Sequence, residues 1–368
     1  MKKTFKYRLL AKRQTFVKAT DWLILCQQLY NAALEQRINF YRQRGAAISC
    51  YSQIKQLPEL RANFPEYEEV GSQVLQDVIE RLDKTFKAFF SRVKNGQGKA
   101  GFPRFKSKDR YNSFTLKQTG WRLEDKYLSI RNVGRFKLRL SRPIEGIIKT
   151  VTIHRERSGH WYVCFACDNV PERKLTPSDK SVGIHMSNDK FCADSDGECI
   201  ENPKYFIQAE KRLRIAQRIL SHRVKGSKRR EKARILLAKK YEKTTNQRDY
   251  FLHKVANKYV AGYGAIYIED VNINITDKNH ENHSVTKIVQ DASWGKFFEL
   301  LNYKAEEAGR SVIKVPYSEI TGETCSACGA INSDLAHSNT QWKCKYCGVL
   351  HDSSKNIANN ILRVGQTL

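Results

Sequence analysis

The sequence predicts a multidomain α+β protein: a small β-barrel or sheet with a helical block inserted after its first strand, then a second α+β region carrying a zinc ribbon near its end. Three observations carry that reading. Short alternating runs stand on both sides of a long stretch of helical periodicity. A polar segment with two prolines separates them from a second set of strands and helices. Two Cys-x-x-Cys pairs close to the C-terminus have the spacing of one four-cysteine metal site.

Residues 3–10, Lys-Thr-Phe-Lys-Tyr-Arg-Leu-Leu, alternate like one strand, and helical periodicity follows from about Lys12 to Arg44. Val74, Val78, Leu82, Phe86, Phe89 and Val93 step by three or four residues, so they set one apolar packing stripe on a helix ending near Asn95-Gly-Gln-Gly. Gly101-Phe-Pro-Arg-Phe-Lys-Ser-Lys then opens a region of short alternating runs, among them 136–140, 151–154 and 161–165. Residues 169–178, Asn-Val-Pro-Glu-Arg-Lys-Leu-Thr-Pro-Ser, are the best linker candidate. Beyond them, Val182-Gly-Ile-His-Met and Lys190-Phe-Cys-Ala-Asp-Ser-Asp-Gly read as a strand hairpin. Two basic helices follow, separated by Lys225-Gly-Ser-Lys. From Ala209 to Lys243 there are 14 Lys or Arg against 3 Glu, too lopsided for the usual intrahelical ion pairs; the segment is a phosphate-binding surface or a solvated face. Ala265-Ile-Tyr-Ile-Glu-Asp reads as a buried strand. A helix around Trp294, Phe297, Leu301 and Ala305 leads to another strand, Val312-Ile-Lys-Val. No internal repeat is present.

The 368 residues hold 65 Lys plus Arg against 38 Asp plus Glu, a net charge of +27. Such an excess favours a polyanionic partner, because neutralising phosphates releases their condensed counterions. Basic residues interleave with Tyr, Phe and Trp along most of the chain, which points to nucleic acid and not to a merely soluble basic protein. No apolar run is long enough to span a bilayer, and the first residues alternate where a secretion signal is continuously apolar. The expected location is therefore the cytoplasm, at the bacterial nucleoid, with no membrane partner. In that reducing compartment 10 cysteines imply thiols and a metal over disulfides.

Cys325-Ser-Ala-Cys328 and Cys344-Lys-Tyr-Cys347 are 15 residues apart. Each pair forms a tight knuckle that holds two thiolates about 2.3 Å from one tetrahedral ion, and Gly329 and Gly348 relax the backbone behind each knuckle. A closed shell of four cysteines leaves no open position, so the expected zinc is structural. Cys164-Phe-Ala-Cys167 lies in a strand-like run, where residues three apart point to opposite faces and cannot share a metal. Cys26, Cys50, Cys192 and Cys199 have no matching partner spacing and read as packing.

Several segments follow one another in order: Gly101-Phe-Pro-Arg-Phe-Lys, Val182-Gly-Ile, Ser195-Asp-Gly, Glu201-Asn-Pro-Lys, Asn246-Gln-Arg-Asp, Ile268-Glu-Asp-Val-Asn, Ala292-Ser-Trp-Gly, Tyr303-Lys-Ala-Glu, the zinc ribbon and Asn356-x-x-Asn-Asn360-Ile-Leu. Together they resemble the TnpB (OrfB) proteins of bacterial insertion sequences, presumed ancestors of type V CRISPR effectors. The resemblance covers nearly the whole chain. It implies a wedge-like β-barrel over 1–11 and 96–172, a helical recognition lobe over 12–95, a RuvC-like domain of RNase H fold over 180–320 and 350–368, and a zinc ribbon over 321–349. It also implies a guide RNA and a double-stranded DNA target with a short adjacent motif. Candidate nucleic-acid contacts are Arg104 and Lys106 in the Gly-Phe-Pro-Arg-Phe-Lys segment, and Lys225, Lys228, Arg229 and Arg230, which crowd one helical turn. Ordinary solvated charge is the alternative at each.

The resemblance also exposes a departure. RuvC chemistry uses three carboxylates to hold two Mg²⁺ ions, and Mg²⁺ wants hard oxygen ligands. At the matching positions this chain has His185, Glu269 and Ser354. Among nearby acids, Asp189 lies about 13 Å along an extended strand. Asp194 and Asp196 lie farther on, and Asp352 turns away from Ser354's face of a helix. Imidazole suits zinc or manganese better than Mg²⁺. The sequence thus predicts RNA-guided DNA binding without cleavage, no Mg²⁺ at the centre, and, at a promoter, transcriptional repression. The rival readings are an active RNA-guided endonuclease that uses His185 with another cation, and a transposon-derived remnant that binds RNA or DNA without a regulated target.

Overall fold

The computed structural model describes residues 1–96, 100–187, 190–270, 291–316, 322–333 and 340–368. These divide into two units, Met1–Pro171 and Glu172–Leu368.

In the first unit, β1 (Lys3–Leu10) turns Phe5, Tyr7 and Leu9 inward and the intervening residues outward. It pairs antiparallel with β7 (Trp161–Asp168) on one side and β5 (Gly134–Arg139) on the other. The remaining strands are β2 (Ser113–Leu116), β3 (Trp121–Glu124), β4 (Tyr127–Ile130) and β6 (Ile147–Arg155). Their order is β2-β6-β7-β1-β5-β4-β3, a curled antiparallel half-barrel whose ends, β2 and β3, do not pair with each other.

The helices α1 (Arg13–Arg44), α2 (Cys50–Lys55), α3 (Leu57–Asn63) and α4 (Ser72–Lys94) fall between β1 and β2 and share one core with the sheet. Trp22 of α1 meets Phe114 of β2 with ring centroids 5.4 Å apart. Arg81 of α4 donates to the Ser113 carbonyl at 2.8 Å and to Thr115 Oγ1 at 2.6 Å, tying that helix to the sheet edge. Only the first half of the α4 stripe is core. Val74, Val78 and Leu82 are buried, whereas Phe86 and Phe89 meet Phe102 at 5.7 and 5.4 Å and Val93 is exposed.

The second unit is built on β8 (Ser181–His185), β9 (Cys192–Asp194), β10 (Cys199–Ile200), β11 (Ala265–Asp270) and β12 (Ser311–Pro316), in the order β10-β9-β8-β11-β12. β8, β11 and β12 are parallel, and β9 and β10 return as antiparallel hairpins, giving a mixed sheet of RuvC-like type. Parallel neighbours need long crossovers. α5 (Tyr205–Ser221) and α6 (Lys228–Gly262) lie between β10 and β11, and α7 (Trp294–Ala308) between β11 and β12. Leu252, Val255 and Tyr259 of α6, with Phe297 and Leu301 of α7, cover the face formed by Val182, Ile184, Ile266 and Ile268. β13 (Gln341–Lys343) and β14 (Leu350–Asp352) make a small hairpin that leads into α8 (Ser353–Gly365). Ile361 of α8 packs with Tyr267 and Val315 on the opposite face of the sheet.

That second contact is close. A side chain at Gly183 of β8 would collide with the Ala358 carbonyl and lie 2.7 Å from the Leu362 nitrogen, so α8 rests on bare backbone. Gly183→Ala is therefore expected to destabilise the chain by about 2–3 kcal/mol through overpacking. Chemical denaturation followed by circular dichroism measures it, and a midpoint unchanged from wild type would refute the close contact.

Candidate nuclease-like centre, zinc knuckles and basic surfaces

Parallel register places Ile184 beside Ile268, and hence His185 beside Glu269 at the ends of β8 and β11. Glu269 is only 3% exposed. His185 Nδ1 lies 3.2 Å from its Oε1 and 3.3 Å from its Oε2, and the Met186 N–H donates to Oε1 at 2.8 Å. A buried carboxylate without partners costs on the order of several kcal/mol, so these two groups are what lets Glu269 remain in the core. α8 runs back along β8. Gln366 Nε2 donates to Ser181 Oγ at the start of the strand, at 3.0 Å, and Ala358 and Leu362 lie over Gly183. Four residues of helix and two of strand each advance about 6 Å, which puts Ser354 level with His185. His185 and Glu269 are thus in contact, with Ser354 level with them along α8.

The nearby acids are held elsewhere. Asp194 sits opposite Ile184 and shares its face of the sheet, not the face of His185 and Glu269. It is buried, accepts the Glu198 N–H at 2.8 Å and the Tyr259 hydroxyl at 3.3 Å, and burial holds its pKa above the usual carboxylate value. Asp196 accepts the Tyr263 hydroxyl at 2.6 Å. Asp352 does not lie on a helix as the sequence suggests; it is the N-cap of α8 and accepts the Lys355 N–H at 3.0 Å. Asp189 lies outside the described residues.

The sulphurs of Cys325, Cys328, Cys344 and Cys347 all lie within 4.8 Å of one another. Cys325 and Cys347 are 3.6 Å apart, and Cys328 and Cys344 3.7 Å. A tetrahedral zinc about 2.3 Å from each sulphur requires S···S separations of about 3.8 Å, so the cluster fits that ion. Both knuckles close alike. Gly329 N–H donates to the Cys325 carbonyl at 2.8 Å and Gly348 N–H to the Cys344 carbonyl at 3.0 Å, with φ of 78° and 73° at the two glycines. Backbone N–H groups, that of Cys347 foremost, pull the Cys344 thiol below its usual value, favouring the thiolate a metal needs. Cys164 and Cys167 fall on opposite faces of β7.

Spacing alone did not reveal the groups around the knuckles. His351 Nε2 lies 3.0 Å from Cys325 Sγ and its ring packs 4.7 Å from that of Trp342, its partner across β13 and β14. Asn356 of α8, 1% exposed, accepts the Ser326 N–H at 2.8 Å and donates to the Thr324 carbonyl at 2.8 Å; Asn360 donates to the same carbonyl at 2.8 Å. The asparagines noted only as part of a family motif therefore clamp the first knuckle to the helix that carries Ser354. Asp291 likewise caps a distant element, accepting the Phe206 N–H of α5 at 2.9 Å.

Of the basic candidates, Arg104 is exposed, and the Lys106 peptide is fixed to α1. Gln27 and Asn31 donate to its carbonyl at 2.6 and 2.9 Å, and its N–H donates to Asn31 at 2.8 Å. Lys225 lies in the turn before α6, not on the helix with the others, and it, Lys228 and Arg229 are exposed. Arg230 is different. Its guanidinium donates to the carbonyls of Leu220 and Arg223 at 2.9 and 2.7 Å, which ties it to the α5–α6 turn. No helix among the described residues is long and apolar enough to cross a membrane.

The OrfB_IS605 family, described as "Probable transposase", matches residues 164–279, and the "Cas12f1-like, TNB domain" matches residues 294–361. The chain is 29% identical to a "Putative RNA-guided DNA endonuclease" of Streptomyces pristinaespiralis, over 99% of this chain and 90% of that protein. It is 26% identical to the "Putative RNA-guided DNA endonuclease InsQ" of Escherichia coli (strain K12), over 81% of this chain and 75% of that one. A solved "Cas12f1-sgRNA-target DNA complex" aligns with a TM-score of 0.56 at 15% identity, over 95% of this chain and 82% of that one. The "mini-RNA-guided endonuclease CRISPR-Cas_phi3" aligns with a TM-score of 0.52 at 10% identity, over 99% and 92%. At such identities the structural likeness shows the fold.

Because Asn356 and Asn360 join knuckle to helix, removing the metal is expected to loosen α8 as well as the cysteine loops. Hydrogen exchange with and without a zinc chelator reads this. Faster exchange across 353–365 is expected after chelation and, with zinc present, in Asn356→Ala; protection of α8 that is indifferent to chelation would sink the coupling.

Proposed function

We infer that this chain, as a member of the TnpB (OrfB) family with a Cas12f-like fold, is an RNA-guided DNA-binding protein whose nuclease-like centre does not support two-metal cleavage. The observation that carries the second half is the donor set. Glu269 stands with His185 and Ser354 where three carboxylates are needed, and both of its oxygens face the His185 ring nitrogen. Mg²⁺ prefers a near-octahedral shell of oxygens, and one carboxylate does not organise two such ions. Asp194 and Asp352, two described acids near those positions, are held on another face and at a helix cap. The +27 charge supports the binding half, with base pairing supplying specificity while cations hold the backbone. Bound at a promoter, such a complex acts as a roadblock to polymerase, which is repression.

A second reading has its own support. The relatives' printed names are those of endonucleases, and Glu269 with an adjacent imidazole offers ligands to manganese or zinc. The candidate contacts Arg104, Lys106, Lys225, Lys228 and Arg229 serve either reading as phosphate ligands.

RNA that copurifies with the chain is expected to carry a constant scaffold and a segment matching chromosomal DNA. Sequencing it checks this, and RNA-free protein selecting the same DNA with undiminished preference would overturn RNA guidance. With that RNA and Mg²⁺, the wild type is expected to retain matched DNA in a gel-shift assay and leave it uncut. Restored cleavage is expected only in the double variant His185→Asp with Ser354→Asp. Guide-dependent cutting by the wild type, in Mg²⁺ or Mn²⁺, that is abolished by Glu269→Ala would establish the endonuclease reading instead.

A further inference from the structure

The end of α4 and the Gly101-Phe-Pro-Arg-Phe-Lys segment leave large parts of three aromatic rings in solvent. Phe90, Phe102 and Phe105 are 58%, 48% and 54% exposed. They are nevertheless held in place. Phe102 is braced edge-on by Phe86 and Phe89 at 5.7 and 5.4 Å, and Phe90 stacks on Phe86 at 6.3 Å. Pro103 is buried, and Gln27 and Asn31 clamp the Lys106 peptide through three hydrogen bonds of 2.6–2.9 Å. A segment without regular secondary structure is thus fixed while its rings stay in solvent. The charge along this stretch is mostly of one sign: the described residues of 83–110 hold eight Lys or Arg against Asp83, which pairs with Lys87 at 2.9 Å, and Asp109. A hydrophobic patch made for a protein partner is normally rimmed by mixed polar groups and depleted of lysine. Fixed aromatic faces among cations instead match a strand that offers unstacked bases and phosphates together.

We propose that Phe90, Phe102 and Phe105, with Arg104 and Lys106, form a stacking platform for unpaired nucleotides of bound RNA. Bases lie on the rings, and phosphates reach Arg104 and the Lys106 ammonium. A continuous duplex hides the faces of its bases, so single-stranded or loop RNA is the chemistry that fits. The platform rests on the nucleic-acid reading above and deepens it by giving one surface a base-stacking role beyond phosphate contact.

The test uses the full-length, RNA-free protein and two fluorescent probes of equal length, an oligouridylate and an abasic phosphodiester strand. Wild type is expected to bind the oligouridylate about tenfold or more tighter than the abasic strand. Phe90→Leu with Phe105→Leu keeps apolar bulk at two exposed positions and removes the rings. It is expected to lose about tenfold for the oligouridylate, at an unchanged salt slope and with unchanged affinity for the abasic strand. Arg104→Ala is expected to weaken both probes and flatten the salt slope. Wild-type affinity in the double Leu variant, or equal binding of both probes by wild type, would overturn the platform while leaving the nucleic-acid reading intact. Binding of neither probe by wild type would overturn both.

Discussion

Gly183 has no side chain, and so α8 can lie with Ala358 and Leu362 against the backbone of β8. Most of what the second unit does follows from that approach. It sets the register between helix and sheet, which brings Ser354 level with His185 and Glu269, and it lets Tyr267 pack under the far end of the helix at Gly365. The same helix presents Asn356 and Asn360 to the first cysteine knuckle. One close contact therefore aligns the sheet, the nuclease-like positions and the metal module.

Buried polar groups decide the rest of that unit, because each must find a partner within reach. Glu269 finds His185 and the Met186 N–H; Asp194 finds Tyr259 and the Glu198 N–H. The two acids lie on opposite faces of one sheet and cannot combine at one centre, however close they are in sequence to the strand ends.

The first unit shows a different economy of structure. β1 takes partners from both sides more than a hundred residues away, so the inserted helices are bound to the sheet by a shared core and not by hydrogen-bonded strands. Arg81 and the Asn31 clamp add polar fixings at the sheet edge and at the loop before β2. Where the core ends, toward the last turns of α4, the aromatic residues turn outward among cations.

What the sequence determined by itself were features that live in one residue or in short-range order. Period-two alternation marks β1 and β7; an apolar run marks the buried strand β11; period 3.6 marks α1 and α4; and the Cys-x-x-Cys pairs announce a common cluster. Side-chain use was decided only in three dimensions. Asp352 became a cap and not a helix residue, and Arg230 took two turn carbonyls as partners. His351 reached Cys325 across a hairpin, and Asn356 reached Thr324 from the next helix. The sheet at 1–171 remained an open half-barrel because β2 and β3 end on opposite edges. None of these is periodic. Each depends on which strands pair and how near a helix can approach, so the partner is fixed by register and burial across tens of residues, quantities that local sequence does not encode.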